Sequence, residues 1–191
     1  MSQNHIRKLL LNNPIVPVVK IQSLEEVIPL LDYLKENNIN CIEITLRTDC
    51  AIDAIKLAKQ HCDDSFFIGA GTVIHPKQIT ELVEAGVDFI VFPGVQKDLL
   101  SVLNELNIPF LPGVMTPSDI MEALRLGWDT LKFFPAHIAG GIDALKTYSQ
   151  VFPQIKFCPT GGINYDNHLE FLSLDNVISV GGSWIQKDFK N

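Results

Sequence analysis

Basic residues are not in excess in this 191-residue chain: 15 Lys and Arg stand against 22 Asp and Glu, giving a formal net charge of −7. That balance leaves no electrostatic footprint for nucleic acid or an anionic membrane surface. No apolar run approaches the ~20 residues a transmembrane helix needs, and the three leucines after Arg7 and Lys8 are too few for a signal-peptide core. The four cysteines, Cys41, Cys50, Cys62 and Cys158, form no CxxC pair and no metal-finger spacing, so they read as reduced, mostly core-packing thiols of a cytoplasmic protein. The histidines, His5, His61, His75, His137 and His168, are scattered, with no two at metal-ligand spacing on one strand or helix. His75 and His137 do follow strand-like runs, which leaves a metal-dependent reaction open on spacing alone. No linker, charge block or low-complexity tract divides the chain. One domain spanning 1–191 is therefore expected, long enough to bury a sizeable core.

What recurs is a short apolar run followed by a stretch of helical periodicity. Strands are read at Ile15–Ile21, Cys41–Leu46, Phe66–Ala70, Asp88–Phe92, Pro109–Pro112, Thr130–Phe134, Ile155–Pro159 and Val177–Val180. Between them lie amphipathic segments such as Leu24, Val27, Leu30, Leu31 and Leu34. Ser23, Asp49 and Thr116-Pro117 suit helix starts, and Gly86 and Gly127 suit left-handed helix ends. A further helix with Ile6, Leu9 and Leu10 on one face precedes the first strand. Eight strands alternating with helices imply an α/β fold, a (β/α)8 TIM barrel with an extra N-terminal helix and a short or missing final helix. A doubly wound open sheet is disfavoured because no GxGxxG follows the first strand.

The candidate chemistry lies where the strands end. Lys132 stands in an apolar run, Thr130-Leu131-Lys132-Phe133-Phe134-Pro135, and lysine is almost never buried without a reason. A dry site disfavours an ammonium, and a neutral amine attacks carbonyls. In the second strand, alternation puts Glu43, Thr45 and Arg47 on the face opposite Ile42, Ile44 and Leu46, hence inside the barrel. A mutual Glu43–Arg47 ion pair is the plain structural reading of that face. The third strand runs out at Gly69-Ala70-Gly71-Thr72, where small residues admit a ligand and Thr72 offers a hydroxyl. The last two strands end in Thr160-Gly161-Gly162 and Gly181-Gly182-Ser183, the strands whose loops commonly bind phosphate in such barrels. Lys20 and Lys156 are rival lysines, but neither has the aromatic flank of Lys132.

These residues fall in blocks that resemble the 2-keto-3-deoxy-6-phosphogluconate (KDPG) aldolase family, also active on 4-hydroxy-2-oxoglutarate (KHG). The blocks are Pro17-Val18-Val19-Lys20, Ile42-Glu43-Ile44-Thr45-Leu46-Arg47-Thr48, Gly69-Ala70-Gly71-Thr72-Val73, Pro112-Gly113-Val114-Met115-Thr116-Pro117, Leu131-Lys132-Phe133-Phe134-Pro135-Ala136, Cys158-Pro159-Thr160-Gly161-Gly162-Ile163 and Gly181-Gly182-Ser183-Trp184. The resemblance implies a class I aldolase barrel, usually trimeric, needing neither metal nor cofactor and acting on a 2-keto acid or sugar-acid phosphate. It implies Lys132 as the Schiff-base lysine and Glu43 as the general acid and base. Arg47 and Thr72 would hold the pyruvate carboxylate, with Phe134 and Thr160 beside the substrate. Gly161, Gly162, Gly181, Gly182 and Ser183 would bound the phosphate site. Two features depart from the family: a shorter C-terminal tail, and Phe92 where a small serine is more usual. The rival readings are a phosphosugar epimerase or isomerase barrel and a non-catalytic sugar-phosphate binder.

Overall fold

Seven strand pairings occur among the described residues, and every one is parallel. Strands paired this way need crossover connections, which the helices supply. The computed structural model describes residues 2–95, 102–103 and 106–190. Along the chain run α1 (Ser2–Asn12), β1 (Ile15–Val19), α2 (Val27–Glu36), β2 (Cys41–Thr45), α3 (Ala51–His61), β3 (Phe67–Gly71), α4 (Pro76–Glu84) and β4 (Phe89–Val91). Then come β5 (Phe110–Leu111), β6 (Gly113–Val114), α5 (Pro117–Arg125), β7 (Thr130–Phe133), α6 (Gly141–Val151), β8 (Lys156–Pro159), α7 (His168–Leu172), β9 (Val180–Gly182) and α8 (Trp184–Lys190).

The strands hydrogen-bond as two sheets, β5-β4-β3-β2-β1-β9 and β6-β7-β8, rather than as the expected continuous eight-stranded wall. Each seam has a local cause. Pro112, the last residue of the expected strand Pro109–Pro112, interrupts the ladder because proline has no N–H to give to it, and a further strand follows it. Phe110–Leu111 therefore pairs with β4 and Gly113–Val114 with β7, while the Pro112 carbonyl still accepts the Lys132 N–H at 2.9 Å. At the other seam, the expected strand Val177–Val180 begins late. The Val177 N–H closes a turn onto the Leu174 carbonyl, and the Ser179 hydroxyl donates to the Asn13 carbonyl. Only two isolated bridges, Phe157 with Val177 and Thr160 with Gly181, remain there.

Local signals in the sequence act largely as expected. The Thr116 Oγ accepts the Asp119 N–H at 3.3 Å, and the Asp119 carboxylate accepts the Thr116 N–H at 2.8 Å, a capping box with Pro117 in the first turn. Burial pushes the Asp119 carboxyl up, but the Thr116 and Met115 N–H groups outweigh it and hold the group below the usual range. Ser23 opens a 3₁₀ turn, Leu24–Glu26, ahead of α2. Asp49 does not cap α3; Cys50 occupies that position. Gly86 (φ 82°) and Gly127 (φ 77°) take the left-handed conformation after α4 and α5.

The strand wall separates two cores. Outside, Ile42, Ile44, Leu131 and Phe133 pack with the helices, and inside, Val16, Cys41, Phe89, Val91, Leu111 and Cys158 meet Ile6, Leu9 and Leu10 of α1. Helix α1 thus seals the N-terminal end of the strands. Gln3 fastens it there through its amide, accepting the Asp129 and Thr130 N–H groups and donating to the Phe110 carbonyl, and Arg7 donates to the Asp129 carbonyl at 2.7 Å. The final helix is short but present: α8 lies on α2, with Phe189 5.5 Å from Tyr33 and Lys190 2.8 Å from Glu26. Helix α8 also packs against β1, the strand that pairs with β9.

Leu10, 0% exposed in the inner core, should cost about 2–5 kcal/mol when replaced by alanine. Its neighbour Leu11, 58% exposed, should cost within about 0.5 kcal/mol. Urea unfolding of Leu10→Ala and Leu11→Ala checks the seal.

Candidate active site

Register brings an acid and an amine together across the interior. On β2, Glu43 lies opposite Val18 of β1 and Gly69 of β3, and Thr45 lies opposite Gly71. On β7, Lys132 lies between Gly113 of β6 and Cys158 of β8. The Lys132 Nζ stands 3.3 Å from Glu43 Oε1, with the two side chains only 7% and 4% exposed. Two charges taken so far from water require each other. The Glu43–Arg47 pair expected from β2 alone does not form; Glu43 takes Lys132 as its partner. Glycine makes the room: a methyl group at position 71 would stand 1.9 Å from Glu43 Oε1. The Phe134 ring covers the amine, its centroid 5.1 Å from Nζ.

Above this pair open two joined chambers. One, about 260 Å³, has Glu43, Thr45, Lys132 and Thr72 on its walls, with Pro93 beside them. The other, about 170 Å³, is bounded by Gly161, Gly162, Ile163, Gly182 and Ser183. Val18, Arg47, Phe134 and Thr160 belong to both and form the waist. Surface hollows of about 380 and 320 Å³ are larger, but their linings hold no comparably buried ion pair. Chemistry rather than volume marks the site.

Arg47 sits at the mouth, exposed, with its Nε donating to Thr45 Oγ1 at 3.0 Å. Thr72 is one of three non-glycine residues with positive φ among those described, at 60°. A β-branched residue held there is strained, and the strain is located on the chamber wall. Gly161 (φ 95°) and Gly162 (φ 79°) also need left-handed backbone, and a methyl group at 162 would lie 2.4 Å from His137 Cβ. Gly181 does not line the second chamber. It bridges to Thr160, and a methyl group there would stand 2.4 Å from the Thr160 hydroxyl, so its smallness makes room for Thr160.

The rival lysines are elsewhere. Lys20 is exposed, its peptide N–H and C=O both held by the Gln186 amide, and Lys156 donates to the Asp175 carbonyl. Phe92 is buried against Phe110, 6.2 Å between rings, and lines neither chamber. Burial pushes the Cys158 thiol up to about 12 and raises Cys41 as well, so both are protonated packing groups. All four cysteines are free, and among the described residues no three His, Cys, Asp or Glu side chains gather as a metal would require. Sequence reasoning passed over Val18, Pro93 and Ile163. Val18 was detectable, since alternation from Val16 puts it on the inner face of β1.

A sequence profile of the family described as KDPG and KHG aldolase matches residues 6–190. A KHG/KDPG aldolase of Escherichia coli (strain K12) is 40% identical over 177 residues, covering 93% of this chain and 83% of its own. Among solved structures, KDPG aldolase from Legionella pneumophila, with pyruvate captured at low pH as a covalent carbinolamine intermediate, superposes with a TM-score of 0.92 at 46% identity, covering 97% of this chain and 91% of that one. The Zymomonas mobilis ZM4 KDPG aldolase with 3-phosphoglycerate gives a TM-score of 0.92 at 36% identity, covering 98% and 93%.

Gly71→Ala should destabilise the chain by about 1–3 kcal/mol in urea unfolding through overpacking. In a crystal structure of the variant, the Lys132–Glu43 contact should be lengthened beyond hydrogen-bond reach.

Proposed function

The chain belongs to the KDPG and KHG aldolase family, and we propose that Lys132 and Glu43 perform in it the Schiff-base chemistry of a class I aldolase. The substrate is 2-dehydro-3-deoxy-6-phosphogluconate, cleaved to pyruvate and glyceraldehyde 3-phosphate. The same site takes 4-hydroxy-2-oxoglutarate to pyruvate and glyoxylate. The observation that carries this reading is the buried amine 3.3 Å from a carboxylate at the floor of a two-chambered cavity.

The chemistry follows from the contacts. Glu43 accepts a proton from the Lys132 ammonium, and the freed amine adds to the C2 ketone. Glu43 returns the proton to the C2 hydroxyl, which leaves as water, and an iminium remains. The carbinolamine held by the Legionella relative corresponds to the first covalent species of this scheme. Glu43, through a water, then takes the C4 hydroxyl proton; the C3–C4 electron pair moves toward the iminium, and the aldehyde departs. Protonation of the enamine at C3 and hydrolysis release pyruvate and restore the lysine. The face of Phe134 stabilises the cationic nitrogen. Arg47 grips the carboxylate with a two-pronged geometry that lysine cannot copy, and Thr72 adds its hydroxyl.

The second chamber suits a phosphate, because Gly161, Gly162 and Gly182 bring main chain to its wall without side chains, and Ser183 adds a hydroxyl. Thr160 at the waist lies between the two substrate ends. The reading carries the family's usual framework with it: a single closed (β/α)8 barrel domain, its two sheets acting as one wall across Pro112 and the Thr160–Gly181 bridge, assembled as a cytoplasmic homotrimer.

Borohydride reduction with pyruvate, followed by peptide mapping, should add mass on Lys132; an adduct on Lys20 instead would overturn the assignment. Lys132→Ala should abolish cleavage and Glu43→Gln should slow it by roughly 10²–10⁴-fold. Full activity in the lysine variant would end the proposal.

A further inference from the structure

The alternation of β2 puts Thr45 inside the wall without a task. Its side chain is buried, with the residue 1% exposed, and its hydroxyl is fully directed. The Oγ1 donates to the Val19 carbonyl on β1 at 2.8 Å. A hydroxyl has one hydrogen to give, so toward Arg47 the oxygen can only accept, and it accepts the Nε–H at 3.0 Å. The Arg47 main-chain N–H donates to the Thr45 carbonyl at 2.8 Å as well. One residue therefore holds Arg47 at both its backbone and its guanidinium.

We propose that Thr45 is a positioning residue that sets the plane of the Arg47 guanidinium, leaving its two terminal nitrogens to meet the substrate's anionic groups. The proposal rests on the aldolase reading above and deepens it. Arginine presents its donors in a rigid planar fork, so fixing Nε fixes the direction of the rest. Arg47 lies at the waist and lines both chambers, where a tilt of that plane changes what it can grip. It is also exposed, and among the described residues no carboxylate pairs with it. The Thr45 hydroxyl is thus the restraint on an otherwise solvent-facing side chain. Ordering Arg47 before the ligand arrives lowers the entropy lost on binding, which is an effect on affinity more than on the chemical step.

The test is pyruvate-dependent borohydride trapping on Lys132, read by mass, alongside KM and kcat for cleavage. Thr45→Val keeps the shape and removes the hydroxyl; it should raise the half-saturating pyruvate concentration and KM by at least about tenfold, as for loss of a hydrogen bond to a charged group. kcat should fall by a smaller factor. Thr45→Ser keeps the hydroxyl and should stay within about threefold of wild type. In an Arg47→Ala background, Thr45→Val should add less than about twofold, because both changes remove one coupled unit. The proposal is overturned by an unchanged half-saturation in Thr45→Val, by a serine variant as impaired as the valine one, or by additive effects with Arg47→Ala. Failure of both Thr45→Val and Thr45→Ala to fold would assign the hydroxyl to stability and overturn it too. The two readings fail separately: absence of any wild-type adduct removes the aldolase reading, whereas a normal wild-type adduct with an indifferent Thr45→Val removes only this one.

Discussion

The buried contact between Lys132 and Glu43 is the constraint around which the rest of the interior is arranged. Taking an ammonium and a carboxylate out of water costs several kcal/mol per ion after relaxation, and only close mutual contact offsets it. The pair is therefore not a stabilising device. Water is not there to replace the contact: Glu43 is 3% exposed and Lys132 5%, and among the described residues no other charged group pairs with either. Such a pair makes chemical sense where a proton has to pass between two groups.

That arrangement depends on what lies above and below it. Below, α1 and the inner core of Ile6, Leu9, Leu10, Phe89 and Leu111 close the strand ends with apolar packing. Beside it, Gly71 gives up its side chain to admit the Glu43 carboxylate. Above it, the Phe134 ring covers the amine, and the waist of Val18, Arg47, Phe134 and Thr160 joins the ion pair to the glycine-walled second chamber.

Much of the fold was legible because its signals are local. Period-two alternation in β2 separates Ile42 and Ile44 from Glu43 and Thr45 before any tertiary contact is known. Thr116-Pro117 announces a helix by capping chemistry, and Gly86 and Gly127 end helices because left-handed backbone suits glycine. Legibility failed where neighbours compete. Pro112 was readable as proline, but the assignment of β5 and β6, on either side of it, to two different sheets depends on which strands flank them. Asp49 has the chemistry of a cap, yet Cys50 takes that position. Phe92 departs from the usual serine, but where its ring goes was not readable; it packs against Phe110 in the outer core.

The linear chain settled which residue types would stand at the ends of its parallel strands: an amine, an acid, a guanidinium, a threonine and two pairs of glycines. Local alternation and the spacing of the runs suffice for that, because each acts within a few residues. Three-dimensional packing settled the partnerships. Glu43 meets Lys132 and not Arg47, and Gly181 serves Thr160 and not the second chamber. Those choices depend on strand register and on distances between residues far apart in the chain, Glu43 and Lys132 being 89 positions apart, and no local pattern encodes them.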